Sequence, residues 1–250
     1  MTLKARRDAA VAVVGAGDFI GAAIAERFAA EGYKVFCGRR NGDHLAELKA
    51  RIEAAGGAFD GRSLDARQET DIEAFIDWAD TDQPLEAVIF NVGANVNFPL
   101  LDTTERVFRK VWEMACEAGF FTGRAAARRM LERGSGSIFF TGATASVRGG
   151  IGYAAFASAK AGLRAVAQSM ARELGPKNIH VAHLIIDAGV DTAFVRQRIT
   201  AARGAEALES LAPDTLMEPA SIAQAYWMLH QQSRDGWTFE LDLRPYAETW

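Results

Sequence analysis

Three glycines between an apolar run and an amphipathic segment, in V-A-V-V-G-A-G-D-F-I-G over residues 11–21, have the spacing that most directly suggests ligand chemistry. Glycine at 15 and 17 lets the backbone take positive φ and approach a ligand, and Gly21 lets the next segment pack closely on the preceding one. A helix starting near Phe19 would aim its unpaired N–H groups and positive dipole end into that turn, where a pyrophosphate fits. A dinucleotide is the ligand implied, and a glycine-rich turn with no ligand is the alternative. Histidines offer less. His180 and His183 sit in or beside a β-branched run, where a histidine bonded within the structure is commoner than a catalyst. No histidine and carboxylate pair has metal-ligand spacing.

The elements that must position these groups follow from hydrophobic periodicity. An apolar strand ends at Val14, a helix over 19–31 carries Ile24, Phe28 and Ala29 on one face, and a second strand over 33–37 closes a β-α-β unit. A helix over 43–55 with Leu45, Leu48 and Ile52 ends at Gly56-Gly57. Then come a strand over 58–64, a helix over 70–79 and a strand over 87–90 preceded by Pro84. A long helix over 104–133 has Thr103 or Thr104 as N-cap and Gly134 beyond its end. A strand over 137–141, a glycine-rich loop, a helix over 154–174, a strand over 179–186, an irregular stretch over 191–214, a helix to about 232 and a strand over 237–241 complete the chain. Such alternation requires a parallel sheet: an α/β, Rossmann-like doubly wound sheet in three α/β/α layers, with residues 1–250 as a single domain. Functional residues are then expected after Val14, Cys37, Leu64, Phe90, Thr141 and Ile186, at the carboxyl ends of the strands.

Element order and local motifs together resemble the short-chain dehydrogenase/reductase family over nearly the whole chain. Residues 14–21 resemble its T-G-x-x-x-G-x-G turn, with Gly15 and Gly21 kept, Phe19 at the middle glycine and Val14 at the threonine. Asp65 stands where the family has an aspartate near the adenine, Asn91-Val92-Gly93 resembles N-A-G, and Ala188-Gly189 with Thr192 resembles P-G-x-x-T with the proline changed. The resemblance implies a cofactor site made of Gly15, Gly17, Phe19, Ile20, Gly21, Asp65, Asn91, Gly93, Lys160, Gly189 and Thr192. It also implies a small-molecule carbonyl or alcohol substrate, and a homo-oligomer, dimer or tetramer, formed through the helices over 104–133 and 154–174.

In that family the chemistry belongs to a Tyr-x-x-x-Lys pair, a serine thirteen residues before the tyrosine, and an asparagine on the preceding long helix. Lys160 is present, but Phe156 stands at the tyrosine, Ala143 at the serine and Cys116 at the asparagine. A phenyl ring has no proton to give, so the resemblance implies an oxidoreductase lacking the usual serine and tyrosine. The alternative is a non-catalytic NADP(H)-binding regulator or scaffold. Tyr153, one helical turn before Phe156, is a substitute donor or a residue of the pocket mouth. Thr144 and Ser146 offer hydroxyls near the missing serine or stabilise the loop, and Asp187 reads as a solvated loop carboxylate.

The second strand is followed by Arg39-Arg40, with no acidic residue to bond an adenosine ribose. Guanidinium groups suit a 2′-phosphate, which favours NADP(H) over NAD(H); arginines solvated or bonded to Asp43 are the alternative. Composition adds limits. In 250 residues, 49% are hydrophobic and the net charge is −4, so a basic stripe for nucleic acid is not expected. Two separated cysteines, the lack of a signal-like apolar start and the lack of a bilayer-length apolar run predict a cytoplasmic protein. At the C-terminus, Trp237, Phe239, Tyr246 and Trp250 pack on a neighbouring subunit or on their own.

Overall fold

The computed structural model describes residues 3–248. Each strand alternates its side chains across a pleat, and here both sets are apolar, so both faces must be covered. Strand β1 (Ala10–Val14) shows the division: Val11 and Val13 enter one core, and Ala10, Ala12 and Val14 the other. The first core is closed by α1 (Ile20–Ala30), α2 (Ala46–Ala54) and, from the far end of the chain, by a helix over Pro219–His230. The second is closed by α3 (Glu69–Ala79) and by helices over Ala118–Arg133 and Ala154–Leu174.

Seven parallel strands run in the order β3-β2-β1-β4-β5-β6-β7, with β2 at Lys34–Arg39, β3 at Ala58–Ser63, β4 at Leu85–Phe90, β5 at Gly136–Thr141, β6 at Ile179–Ile186 and β7 at Glu240–Leu243. This is the three-layer, doubly wound arrangement that the alternation predicts. The order reverses between β1 and β4, which opens a crevice at their carboxyl ends.

Local expectations change at several places, and the strand expected over 87–90 already starts at Leu85. The long helix is two helices, α4 (Glu105–Trp112) and α5 (Ala118–Arg133), joined by a π-helical turn over Glu113–Glu117. The stretch over 191–214 holds α7 (Ala193–Arg203) and α8 (Ala205–Glu209), which follow α6 (Ala154–Leu174) and precede α9 (Pro219–His230). The second strand runs two residues further, so that Arg39 is its last residue. The last strand starts at Glu240 instead of 237, because side chains occupy the preceding backbone: Thr238 N–H donates to Gln232 Oε1 at 2.8 Å and the Thr238 carbonyl lies 2.9 Å from His180 Nε2. Trp237 stacks on His180 of its own chain at 4.9 Å, while Trp250 lies outside the described residues.

Among the described residues no helix is long and apolar enough to cross a membrane, and no cluster of His, Cys, Asp or Glu could hold a metal ion. Cys37 and Cys116 are buried free thiols.

Candidate active site

Glycine is required in the turn after β1 for identifiable reasons. Gly15 has φ +92°, and a Cβ there would stand 2.7 Å from the Asn91 carbonyl oxygen. A Cβ on Gly21 would meet Ala16 Cα and the Gly15 carbonyl at 2.6 Å. Gly17 differs, since its missing Cβ faces open space and the residue lines the crevice. The helix that follows starts without a side-chain cap and without an acid in its first turn, which leaves its N-terminal dipole to an external anion. From β4, Asn91 locks the turn: its Nδ2 donates to the Gly15 carbonyl at 3.0 Å, and its Oδ1 accepts from the Thr141 hydroxyl at 3.1 Å.

Lys160 lies on α6, 3% exposed, and donates to the carbonyls of Thr141 at 2.8 Å and Val92 at 3.3 Å. Burial pulls its pKa down to about 8. Its ammonium is 5.9 Å from the ring of Phe156. Tyr153 forms the N-cap of α6, with its ring 6.3 Å from that of Phe156, and its hydroxyl accepts from Arg198 Nη2 at 3.2 Å. Thr144 opens a 3-10 turn after β5 and donates its hydroxyl proton to Asp187. That turn brings Ser146 back beneath Ala143, so that Ser146 Oγ accepts the Ala143 N–H at 3.1 Å and lies 3.4 Å from His183 Nε2. Burial pushes the His183 imidazole down to about 4.

The expectation of a site lacking serine and tyrosine is therefore overturned. Tyr153 and Lys160 line the expected catalytic end of the crevice, and Ser146 lies buried directly behind Ala143, bonded to its N–H. Ala143 and Phe156 occupy the places that residue counting assigns and do line the crevice, but the hydroxyls that line it beside them belong to Thr144 and Tyr153. Tyr153 shares a side with Phe156 because the two are three residues apart, and Ser146 folds back through a single tight turn.

Asp187 also departs from expectation. It is 3% exposed instead of solvated, with Arg148 at 3.4 Å and Arg244 at 3.3 Å besides the Thr144 hydroxyl. Cys116 sits in the π-helical turn, packed with Ala115, Phe156 and Ala159 against α6, and does not line the crevice. A Cβ on Gly162 of α6 would come within 2.9 Å of its sulfur, and burial pushes the thiol up to about 11.

Two cavities meet at the glycine turn. The larger, about 960 Å³, runs from Gly15 and Asn91 past Lys160 and Tyr153 to the inner side of α7. Phe19, Ile20, Gly21, Gly93, Gly189 and Thr192 all line it, and the Thr192 hydroxyl also caps α7 by accepting the Val195 N–H at 3.1 Å. The smaller, about 590 Å³, lies between the ends of β2 and β3 and is bordered by Arg39, Arg40, His44, Asp65 and Arg67. Arg39 bonds Asp18 across the turn, not Asp43, and Arg67 holds Asp65 through Nε at 2.9 Å and Nη2 at 2.5 Å. Those hydrogen bonds keep the Asp65 carboxyl below the usual range. His44, Arg67, Arg148 and Arg198 were not singled out from sequence. For His44 and Arg67 the usable signal is their position just past the strand ends, whereas Arg198 reaches the site only through the fold.

Comparison with known proteins places these features among relatives. Residues 9–203 match the sequence pattern of the family described as short chain dehydrogenase. A 3-oxoacyl-[acyl-carrier-protein] reductase, MabA, of Mycobacterium tuberculosis is 30% identical over 187 residues, covering 74% of this chain and 71% of that protein. The crystal structure of a short-chain dehydrogenase from Rhodopseudomonas palustris superposes with a TM-score of 0.82 at 61% identity, covering 96% of this chain and 100% of that one. An actinorhodin polyketide ketoreductase variant solved with NADPH has the same fold, with a TM-score of 0.87 at 23% identity, covering 97% and 98% of the two chains.

Proposed function

Because this chain belongs to the short-chain dehydrogenase family, we propose that it is an NADP(H)-dependent oxidoreductase that interconverts a small carbonyl compound and its alcohol. The observation that carries this reading is the meeting of the glycine turn, Lys160 and the Tyr153 hydroxyl in one crevice at the switch point of the sheet. The residues present fit the cofactor: an uncapped helix start, an open face at Gly17 and a cavity bordered by Arg39, Arg40 and Arg67 suit a pyrophosphate and a 2′-phosphate. When bound, NADP(H) supplies or accepts the hydride.

The protein's own groups then handle the proton. Tyr153 accepts a hydrogen bond from Arg198, so its own O–H is turned away from that guanidinium and is available to a substrate oxygen. Lys160 adds a cation beside the Phe156 ring at neutral pH. Thr144 has committed its proton to Asp187, so its oxygen can accept from an alcohol but cannot donate to a carbonyl. Asn91 holds the turn against β4, and Phe156 walls the crevice. In this reading the whole chain serves as a single cytoplasmic NAD(P)-binding domain that works as a homo-oligomer.

Calorimetric titration with NADPH and NADH, followed by a carbonyl panel read through cofactor absorbance, tests the assignment. Tighter binding of NADPH is expected, with turnover abolished in Lys160→Ala and reduced by about 10² to 10⁴ in Tyr153→Phe. Equal or tighter binding of NADH would remove the cofactor preference. Turnover undisturbed in Tyr153→Phe would remove its role as donor.

A further inference from the structure

The ionisable side chains around the larger crevice are unbalanced. Lys160, Arg148, Arg198 and Arg203 line it, with Asp18 as the sole carboxylate among the described residues, in a chain whose net charge is −4. Asp18 belongs to the glycine turn and is paired with Arg39, which leaves the end beneath α7 bordered by arginines alone. Of the carboxylates on the adjoining loop, Asp187 is buried behind Thr144 and engaged by Thr144, Arg148 and Arg244, and Asp191 is paired with Arg196.

Arg198 is the arginine placed against the chemistry. Its Nη2 is 3.2 Å from the Tyr153 oxygen and its guanidinium lies 5.7 Å from the Phe194 ring, which holds the fork over the crevice. Among the described residues Tyr153 is its one hydrogen-bond partner, and because Arg198 is exposed the other donors of its five-donor fork face solvent and are free to meet a ligand. Val195 and Ile199 of the same helix add an apolar wall. A planar fork beside apolar surface favours a carboxylate, which it binds through two parallel hydrogen bonds, over a neutral group of the same shape.

We propose that the substrate is an oxo acid, or the corresponding hydroxy acid, whose carboxylate is received by Arg198 while its carbon skeleton lies on Phe194, Val195 and Ile199. This deepens the oxidoreductase reading and rests on it for the reaction, though not for the binding. The fork is a single hydrogen bond from the hydroxyl that meets the reacting oxygen, so the carboxylate is only a few bonds from the reacting carbon. That selects 2-oxo and 3-oxo acids over acids with a distant charge. Hydride adds to the carbonyl carbon, the Tyr153 proton goes to the oxygen, and the carboxylate stays intact; oxidation of the hydroxy acid reverses each transfer.

The test uses matched 2-oxo and 3-oxo acids and their methyl esters, of short and medium chain length, with the NADPH-loaded protein. The best acid is expected to exceed its ester by about tenfold or more in kcat/KM, and Arg198→Gln to erase that preference mainly through KM, with Arg198→Lys restoring part of it. Calorimetry of the same acids on the protein without cofactor provides an independent reading, with affinity expected to fall about tenfold in Arg198→Gln. Esters equal to or better than acids throughout the series, or an acid preference unchanged in Arg198→Gln, would overturn the proposal. If NADPH fails to bind while acids still bind through Arg198, the oxidoreductase reading falls and the carboxylate site stands. If NADPH binds and turns over neutral carbonyls alone, the carboxylate site falls and the oxidoreductase reading stands.

Discussion

A lysine buried to 3% exposure pays for its position in charge, and Lys160 shows how large that effect is. Its ordinary pKa of 10.5 falls to about 8, first through burial, with Cys116 acting weakly in the opposite direction. Between those two values the unfolded chain binds the extra proton and the folded chain does not, so folding becomes more favourable as pH rises through this window. Below about pH 8 the full penalty applies. Cys37 and Cys116, both raised by burial, act with the opposite sign above their ordinary value of 9.0, so wild type must be compared with Lys160→Met to isolate the lysine. From pH 8 to pH 9, the unfolding free energy of wild type should rise by about 1 kcal/mol relative to that of Lys160→Met in urea titrations. An unchanged difference would mean that Lys160 is solvated in the native protein.

At the scale of elements, the strand-turn-helix unit separates two uses of glycine. Gly15 is required by its positive φ and by close approach to Asn91, whereas Gly17 has room for a methyl group but faces the crevice. Gly15→Ala should therefore lose about 1 to 3 kcal/mol of stability and with it NADPH binding. Gly17→Ala should melt close to wild type yet bind NADPH more weakly, because the added methyl stands where the cofactor's phosphates approach. Thermal melts and calorimetry on both variants separate these outcomes, and a Gly17→Ala protein with unimpaired affinity would move the phosphate path elsewhere. The π-helical turn between α4 and α5 has a comparable effect on Cys116. The wider turn directs that side chain onto α6 beside Gly162, away from the crevice that simple alignment of residues would give it.

At the scale of the whole molecule, both faces of the sheet are closed by helices of the same chain, so the sheet itself offers no apolar face to a partner. Phe108 and Trp112 of α4 and Phe120 of α5 remain exposed on the helices. Burial of these rings against a second copy is the expected outcome. Light scattering at micromolar concentration should give a mass at least twice that of the chain, reduced to the monomer in Phe108→Glu with Trp112→Glu. A monomer mass for wild type would remove the oligomer.

The amino-acid sequence by itself determined the strand-helix alternation, the glycine turn and the arginines after the second strand. Each is written in local spacing: period 2 or 3.6 for the elements, glycine where a side chain cannot fit, and charge beside a strand end. Residue counting also reached Lys160, Phe156 and Ala143, all three of which line the crevice. Which hydroxyl faces the crevice was decided only by the tertiary structure. A 3-10 turn carries Ser146 behind Ala143, and the first turn of α6 sets Tyr153 beside Phe156. Asp187 meets Thr144, Tyr153 meets Arg198 and Arg39 meets Asp18 across at least 21 residues of chain. No local pattern encodes such pairings, because they exist only after separate strands have been brought side by side and their loops gathered at one end of the sheet.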